Sequence, residues 1–338
     1  MSKKVIVHSI KFQKFISSEL FAITAFLVGI SIFFGMYEPK FLNVTNWYNI
    51  FRSSCYLILV ASGQMVALII GGFDLSVGSV MALTSFTTAT IMVKIYNSLP
   101  NLVVLSLAGG MITGILSGMA VGFVNGLCIA ILNVSPFIVT LGTMSLVSGI
   151  ALYATTGIPI YGMPNIFNRI LSTERLFMLP ALFYLTAGII ALIWVFLRLT
   201  KTGRYFYAIG GNIHAAHVSG ISVKYIIIIA YTLCSLMASL SGIFLTARLN
   251  SGEATMGAPF MLNSIAAAVL GGVRIGGGVG HIEWVVIGAL IITVLSNGMN
   301  LMRIESKIQT IFVGLLLIGA VALERLRRRG IYGGTDHQ

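Results

Sequence analysis

The chain has 338 residues, 57% of them hydrophobic and 9% charged, with a formal charge of +12. A soluble domain carries about a quarter charged residues, so this composition excludes an ordinary water-soluble globule and places the chain in a bilayer. The positive balance does not point to nucleic acid: Lys3, Lys4, Lys11 and Lys14, then Arg198, Lys201, Arg204 and Lys224, then Arg325, Arg327, Arg328 and Arg329 each lie against a stretch long enough to cross a membrane.

At about 20 apolar residues per crossing, ten segments emerge, at 15–36, 55–71, 76–96, 102–125, 136–154, 177–198, 225–247, 260–273, 282–301 and 307–324. The first is longer than the apolar part of a secretory signal and has no small-x-small cleavage site after it, so it reads as a membrane helix. Segments two and three are separated by "GGFDLS", which leaves Asp74 beside Gly71 and Gly72 in an otherwise apolar run. A carboxylate at membrane depth costs a few kcal/mol or more unless it is paired, capped or functional. Its position before the third segment favours a role capping that helix or anchoring it to neighbours over direct contact with a substrate.

In the fourth segment Gly110, Gly114, Gly118, Gly122 and Gly126 recur every four residues, which lines them along one helical face and predicts a close helix contact. After the sixth segment comes a polar loop, 199–224, in which Asn212 to Val218 has the pattern of a short helix capped by Asn212 and stopped by Gly220. Such a projecting helix suits docking into a groove of a soluble partner, and a plain interfacial loop is the alternative. His214 and His217 share a face there, but with no neighbouring acid or thiol they read as solvated surface rather than metal ligands. The eighth segment is short and suggests a broken or re-entrant piece. It leads into "GGVRIGGGVG", whose Gly271, Gly272 and Gly278 stand 200 positions after Gly71, Gly72 and Gly78, a weak echo of a parallel internal repeat. Arg274 takes the matching place in that second turn and is a conceivable partner for Asp74.

Topology follows from charge. An N-terminus in the cytoplasm places the 199–224 loop there after six crossings and the 325–338 tail there after ten, so all three basic clusters obey the positive-inside rule. No compositional break divides the chain, which reads as one transmembrane domain over 1–338, all-α and with about ten membrane helices.

Several chemistries are missing. No G-x-x-x-x-G-K-[ST] loop occurs, and the second glycine turn lacks the lysine and hydroxyl of a nucleotide cradle. There is no catalytic cluster, and Cys55, Cys128 and Cys234 have neither disulfide nor metal spacing. An ion-coupled secondary transporter built on Asp74 is the main rival to an energy source outside this chain, but such proteins need several membrane carboxylates, and only Glu283 stands beside Asp74 as a candidate.

The stretches "GGFDLSVGS", "SPFIVTLGTMSLVSGIAL", "TGRYFYAIGGNIHAAHVSGI" and "IAAAVLGGVRIGGGVG" resemble the membrane permease subunits of bacterial ABC sugar importers, in the branch for ribose, galactose, xylose, arabinose and related polyols. The resemblance runs in order through nearly the whole chain. It implies an ABC importer permease fold in the bacterial inner membrane, working as a homodimer. It also implies a cytoplasmic ATPase with two nucleotide-binding domains that carries the ATP and Mg, no cofactor on this chain, and a periplasmic sugar-binding protein that delivers the cargo. In the family the central loop supplies the coupling helix, here Asn212, His214, Ala215, Ala216, Ser219 and Gly220. Where the family commonly has Tyr-Glu-Leu-Asp before the second turn, this chain has Phe260, Met261, Leu262 and Asn263, and Arg274 replaces a small or polar residue. A neutral sugar needs hydroxyl and amide groups rather than a counter-charge, so Gln64, Asn125, Thr140, Thr143, Asn263 and Asn297 are the candidates for the path. Each is also suited to bonding neighbouring helices.

Overall fold

The computed structural model describes residues 19–332. Lys3, Lys4, Lys11 and Lys14, the first four residues of the 15–36 run and the end of the tail, 333–338, lie outside the described residues. The helices are α1 (Glu19–Tyr37), α2 (Val44–Ile69), α3 (Val77–Ser98), α4 (Val103–Leu132), α5 (Pro136–Thr155), α6 (Asn165–Asn168), α7 (Ala181–Leu199), α8 (Lys201–Gly211), α9 (Ile213–Val218), α10 (Val223–Leu249), α11 (Ala258–Leu270), α12 (Ile282–Leu301) and α13 (Ser306–Tyr332). Eight of them, α1 to α5, α7, α10 and α12, are long and apolar enough to span a bilayer; the apolar stretches Ala258–Leu270 and Ser306–Ala322 are shorter. These ten coincide with the ten segments expected from hydropathy.

Boundaries moved where side chains, not hydropathy, decide them. α2 begins at Val44 rather than near 55 because Asn43 caps it, accepting from Thr45 N at 2.9 Å. Its first polar turns are satisfied within the bundle: Asn46 and Asn297 of α12 bond reciprocally at 2.9 and 3.0 Å. α7 begins at Ala181, after a two-residue hairpin, β1 (Arg175–Leu176) and β2 (Leu179–Pro180). Most of the expected 199–224 loop is helical, as α8 and α9.

α2 and α10 form the centre and pack on each other. α10 rests against α4 and α3, while α11 and α12 cover the other side of α2. α1 lies on α12, α5 on α3 and α4, and α7 on α2, and these outer helices leave most of their apolar side chains exposed, as lipid contact requires. The glycine face of α4 is the seam of this arrangement. All five glycines are buried, and a Cβ on Gly110 would stand 2.8 Å from Thr88 O, one on Gly122 2.5 Å from Tyr231 O, and one on Gly126 2.7 Å from the Ile228 Cα. In lipid, where apolar surface gains nothing by leaving its solvent, that backbone approach is what holds helices together.

Candidate functional site

Two glycine turns organise the interior, and both are built by the same helix ending. At the end of α2, Gly72 N donates to Ala67 O and Gly71 N to Leu68 O, both at 2.9 Å, with Gly71 at φ +84°. At the end of α11, Val273 N donates to Ala268 O (3.0 Å) and Gly272 N to Val269 O (2.9 Å), with Gly272 at φ +75°. Each is a Schellman ending, whose left-handed residue is glycine because a Cβ is unfavourable there. The backbone therefore equates Gly71 with Gly272, one residue off the spacing that the glycine letters suggested. Asp74 then matches Ile275, and Arg274 matches Phe73. Arg274 thus does not occupy the place of Asp74, which corrects that expectation; its backbone N–H donates to Val279 O at 3.0 Å.

Asp74 is fully buried. Its Oδ1 accepts from Ser76 N at 2.9 Å and from Ser76 Oγ at 2.5 Å, a turn that sets the direction of α3 one residue before its first helical position. From there a chain of side chains runs outward: Asn125 Nδ2 of α4 donates to Ser76 Oγ at 3.0 Å, and Thr143 Oγ1 of α5 donates to Asn125 Oδ1 at 2.7 Å. With its amide turned so that donor meets acceptor, Gln64 of α2 donates to Asp74 O (3.0 Å) and accepts from Asp74 N (3.3 Å), as a neighbouring strand would. Thr140 Oγ1 and the Tyr231 hydroxyl both reach Phe73 O, at 3.5 and 3.3 Å. Ser76 of the turn itself, with Gln64 of α2, Asn125 of α4, Thr140 of α5 and Tyr231 of α10, thus holds one non-helical turn in which Gly72, Asp74 and Ser76 are buried. Asp74 Oδ2 is enclosed without a hydrogen bond, and the Cys234 thiol lies beside the carboxyl group.

Four of the six candidate path residues, Gln64, Asn125, Thr140 and Thr143, therefore meet at this turn. Asn297 is elsewhere, paired with Asn46, and Asn263 stands half-buried on α11. Sequence reasoning missed Ser76 and Tyr231, which hold the turn with them. The tyrosine was signalled only by the bare Gly72, because a Cβ there would collide with its hydroxyl. Glu283 at the start of α12 accepts from Trp194 Nε1 at 2.6 Å and lies 3.8 Å from the Arg198 guanidinium, partly exposed, so it is tied to the end of α7 rather than set in the bundle interior.

The α8–α9 segment meets both turns from outside. Thr200 caps α8, accepting from Gly203 N at 3.0 Å, and α8 buries Gly203, Phe206 and Ile209 while Lys201 and Arg204 face out, the arrangement of a helix lying at an interface. Tyr207 donates to Gly280 O at 2.9 Å; burial raises its pKa, so the phenol keeps its proton and the bond at neutral pH. At Gly210 three backbones converge. A Cβ there would overlap Ile69 O of the first turn and stand 2.5 Å from Gly278 N of the second, while Gly278 N itself donates to Ile69 O at 2.8 Å. Beyond this junction Asn212 caps α9, accepting from Ala215 N at 3.0 Å, and Gly220 at φ +81° ends it. Ala216 is the buried anchor of α9. Asn212, His214, Ala215, Ser219 and Gly220 are exposed, with Ile213 and Val218 presenting bare apolar surface beside them.

In comparisons with known proteins, residues 46–321 match the family described as branched-chain amino acid transport system / permease component. The chain is similar to the D-allose transport system permease protein AlsC of Escherichia coli, 35% identical over 308 residues and 90% of each chain. It is similar also to the ribose import permease protein RbsC of Bacillus subtilis, 38% identical over 291 residues, 85% of this chain and 87% of that one. The galactose/methyl galactoside import permease protein MglC of Salmonella typhimurium is 33% identical over 317 residues, 91% of this chain and 94% of that one. No solved structure matches.

Proposed function

The chain belongs to the family of branched-chain amino acid transport system permease components, and from that membership we propose that it is the transmembrane subunit of an ATP-driven importer for a monosaccharide or small polyol. The cargo class follows the relatives, which are named for allose, ribose and galactose. The chain acts as one transmembrane domain in the bacterial inner membrane, with both termini in the cytoplasm and a second copy of itself completing the path. Residues 199–224 are its coupling segment, and 325–338 its cytoplasmic tail. A cytoplasmic ATPase with two nucleotide-binding domains, carrying ATP and Mg, docks on the exposed face of α9. A periplasmic binding protein delivers the sugar at the opposite end.

The observation that carries this reading is the backbone junction at Gly210. It joins a short, capped, exposed helix to the two turns that enter the bundle, so a displacement of α9 has rigid peptide contacts to push against. In this mechanism ATP-driven closure of the ATPases moves α9 and α8, the turns follow, and the helices they begin and end tilt to open the path to each side alternately. Gln64, Asn125 and Thr140 serve in it as anchors of the turn. Asn263 and the half-exposed Thr143 remain for the path. An ion-coupled reading loses its second carboxylate, since Glu283 is engaged with Trp194 and Arg198.

Reconstitution in liposomes tests the proposal. Uptake of labelled sugar by this chain is expected only with a co-expressed ATPase, a binding protein and ATP. Uptake driven by a proton or sodium gradient through this chain alone would refute it.

A further inference from the structure

At the end of the bundle remote from α9, three guanidiniums lie over two tyrosine rings of α2. Tyr48, Arg52 and Tyr56 follow one another at helical spacing on a single face of α2, with Asn49 and Ser53 beside them. Arg52 lies 5.7 Å from the centre of the Tyr48 ring, and Arg175 of the hairpin covers the same ring at 4.4 Å. Arg248, from the last turn of α10, lies 5.6 Å from the Tyr56 ring and donates to Ser53 Oγ at 2.9 Å. Arg52 donates from Nη2 to Asn49 Oδ1 at 3.0 Å. Among the described residues the ion pairs are those of Arg169 with Glu174 and of Arg198 with Glu283; none of these three arginines has a carboxylate.

The same place holds three enclosed polar atoms without a hydrogen-bond partner: Arg52 Nε and the hydroxyls of Tyr48 and Tyr56, two rings that are 7% and 1% exposed. Buried donors are rarely left unpaired, and three like charges drawn together repel unless something negative joins them. All three orphan atoms can donate, so an anion with several acceptor oxygens would satisfy phenols and guanidiniums together. Depth narrows its chemistry. From Ile69 to Arg52 α2 rises about 26 Å, close to the roughly 30 Å thickness of a hydrocarbon core, and a chain of touching aromatic rings, Phe41, Trp47, Phe51, Phe183 and Tyr184, runs across the same end of α2, as at a membrane–water boundary. That is the level of lipid phosphates, which basic pockets between membrane helices bind.

We propose that Arg52, Arg175 and Arg248, with the phenols of Tyr48 and Tyr56, form a binding site for a phosphate oxyanion at the end of the bundle remote from α9. Arg175 is the exposed member, and its guanidinium must swing off the Tyr48 ring to admit the ligand. The phosphate belongs either to a phospholipid headgroup or to a soluble solute, and the site recognises the group common to both. It is independent of the transport reading, since it needs only the bundle and its depth in the membrane.

The test is thermal unfolding of the full purified chain in neutral detergent. It is titrated with short-chain phosphatidylglycerol and, separately, with inorganic phosphate, against chloride and acetate at matched ionic strength. A saturable rise in melting temperature is expected, with the half-saturating concentration raised about tenfold in R248Q and in R175Q, a loss of about 1.4 kcal/mol of binding. Arg175 is exposed, so R175Q keeps the test open if R248Q fails to fold. A response to the lipid alone assigns a headgroup, and a response to inorganic phosphate as well assigns the free group. No saturable rise, an equal rise with acetate, or half-saturation unchanged in both variants overturns the proposal.

Discussion

Asp74 earns its place through one oxygen. Oδ1 receives both the N–H and the hydroxyl of Ser76, so an amide oxygen at this position preserves what holds the turn, whereas an alkyl side chain strands two buried donors. D74N is therefore expected to fold and melt close to the native chain, and D74L to lose about 2–4 kcal/mol, checked by unfolding in detergent and by the yield of monodisperse protein. At the junction, Gly278 has φ +77° and a Cβ there would stand 3.0 Å from Gly211, so G278A costs about 1–2 kcal/mol of backbone strain and loosens the contact between α8 and the turns. The expected outcome is that ATPase still binds while ATP-dependent uptake falls several-fold. Parallel loss of binding and uptake would show that the contact only builds the fold. An acid in an apolar run announces itself in a sequence, and Asp74 did. Apart from Ser76, two residues on in the same turn, its partners did not, because Gln64, Asn125 and Tyr231 come from different helices and only packing brings them to one peptide turn.

Helices were legible to different degrees, for a physical reason. Where the bilayer imposes a length and an apolar composition, the pattern in the chain is the pattern in space, and all ten apolar segments are helices. α8 escaped notice because it is an 11-residue amphipathic helix with Gly203, Gly210 and Gly211 inside or at its end, residues that by propensity oppose helix. Gly203 and Gly210 are there because other backbone atoms pass too close for a side chain. The four-residue spacing of glycines in α4 was readable for the opposite reason, since a repeat at helical period marks a face whatever its partner. The partners, α3 and α10, were not readable. G122L should force α4 off α10 and cost about 1–3 kcal/mol or more, whereas G142A on α5, where nothing lies within 4 Å, should leave stability within about 0.5 kcal/mol of native, both read from unfolding in detergent.

At the scale of the whole molecule, the segment carrying α9 and the hairpin of β1 and β2 are separated by a single long apolar helix, α7, and so must open on opposite faces. In a variant lacking Cys55, Cys128 and Cys234, a cysteine at exposed Val218 is expected to react with a membrane-impermeant maleimide only from the cytoplasmic side, and one at exposed Met178 only from outside. The reverse pattern would leave no surface for an ATPase at Asn212 and would end the importer reading.

Hydropathy and the distribution of charge determined by themselves that this protein is a helical membrane bundle, how many apolar segments it has and where its projecting segment falls. These properties depend on each stretch meeting lipid or water independently of the others, and so are written locally. Which polar side chain bonds which turn, that the two glycine endings match one residue off their apparent register, and that three distant arginines share one pair of tyrosines were decided only by the tertiary structure. Those contacts join residues far apart in the chain, and their energy exists only once the helices are packed.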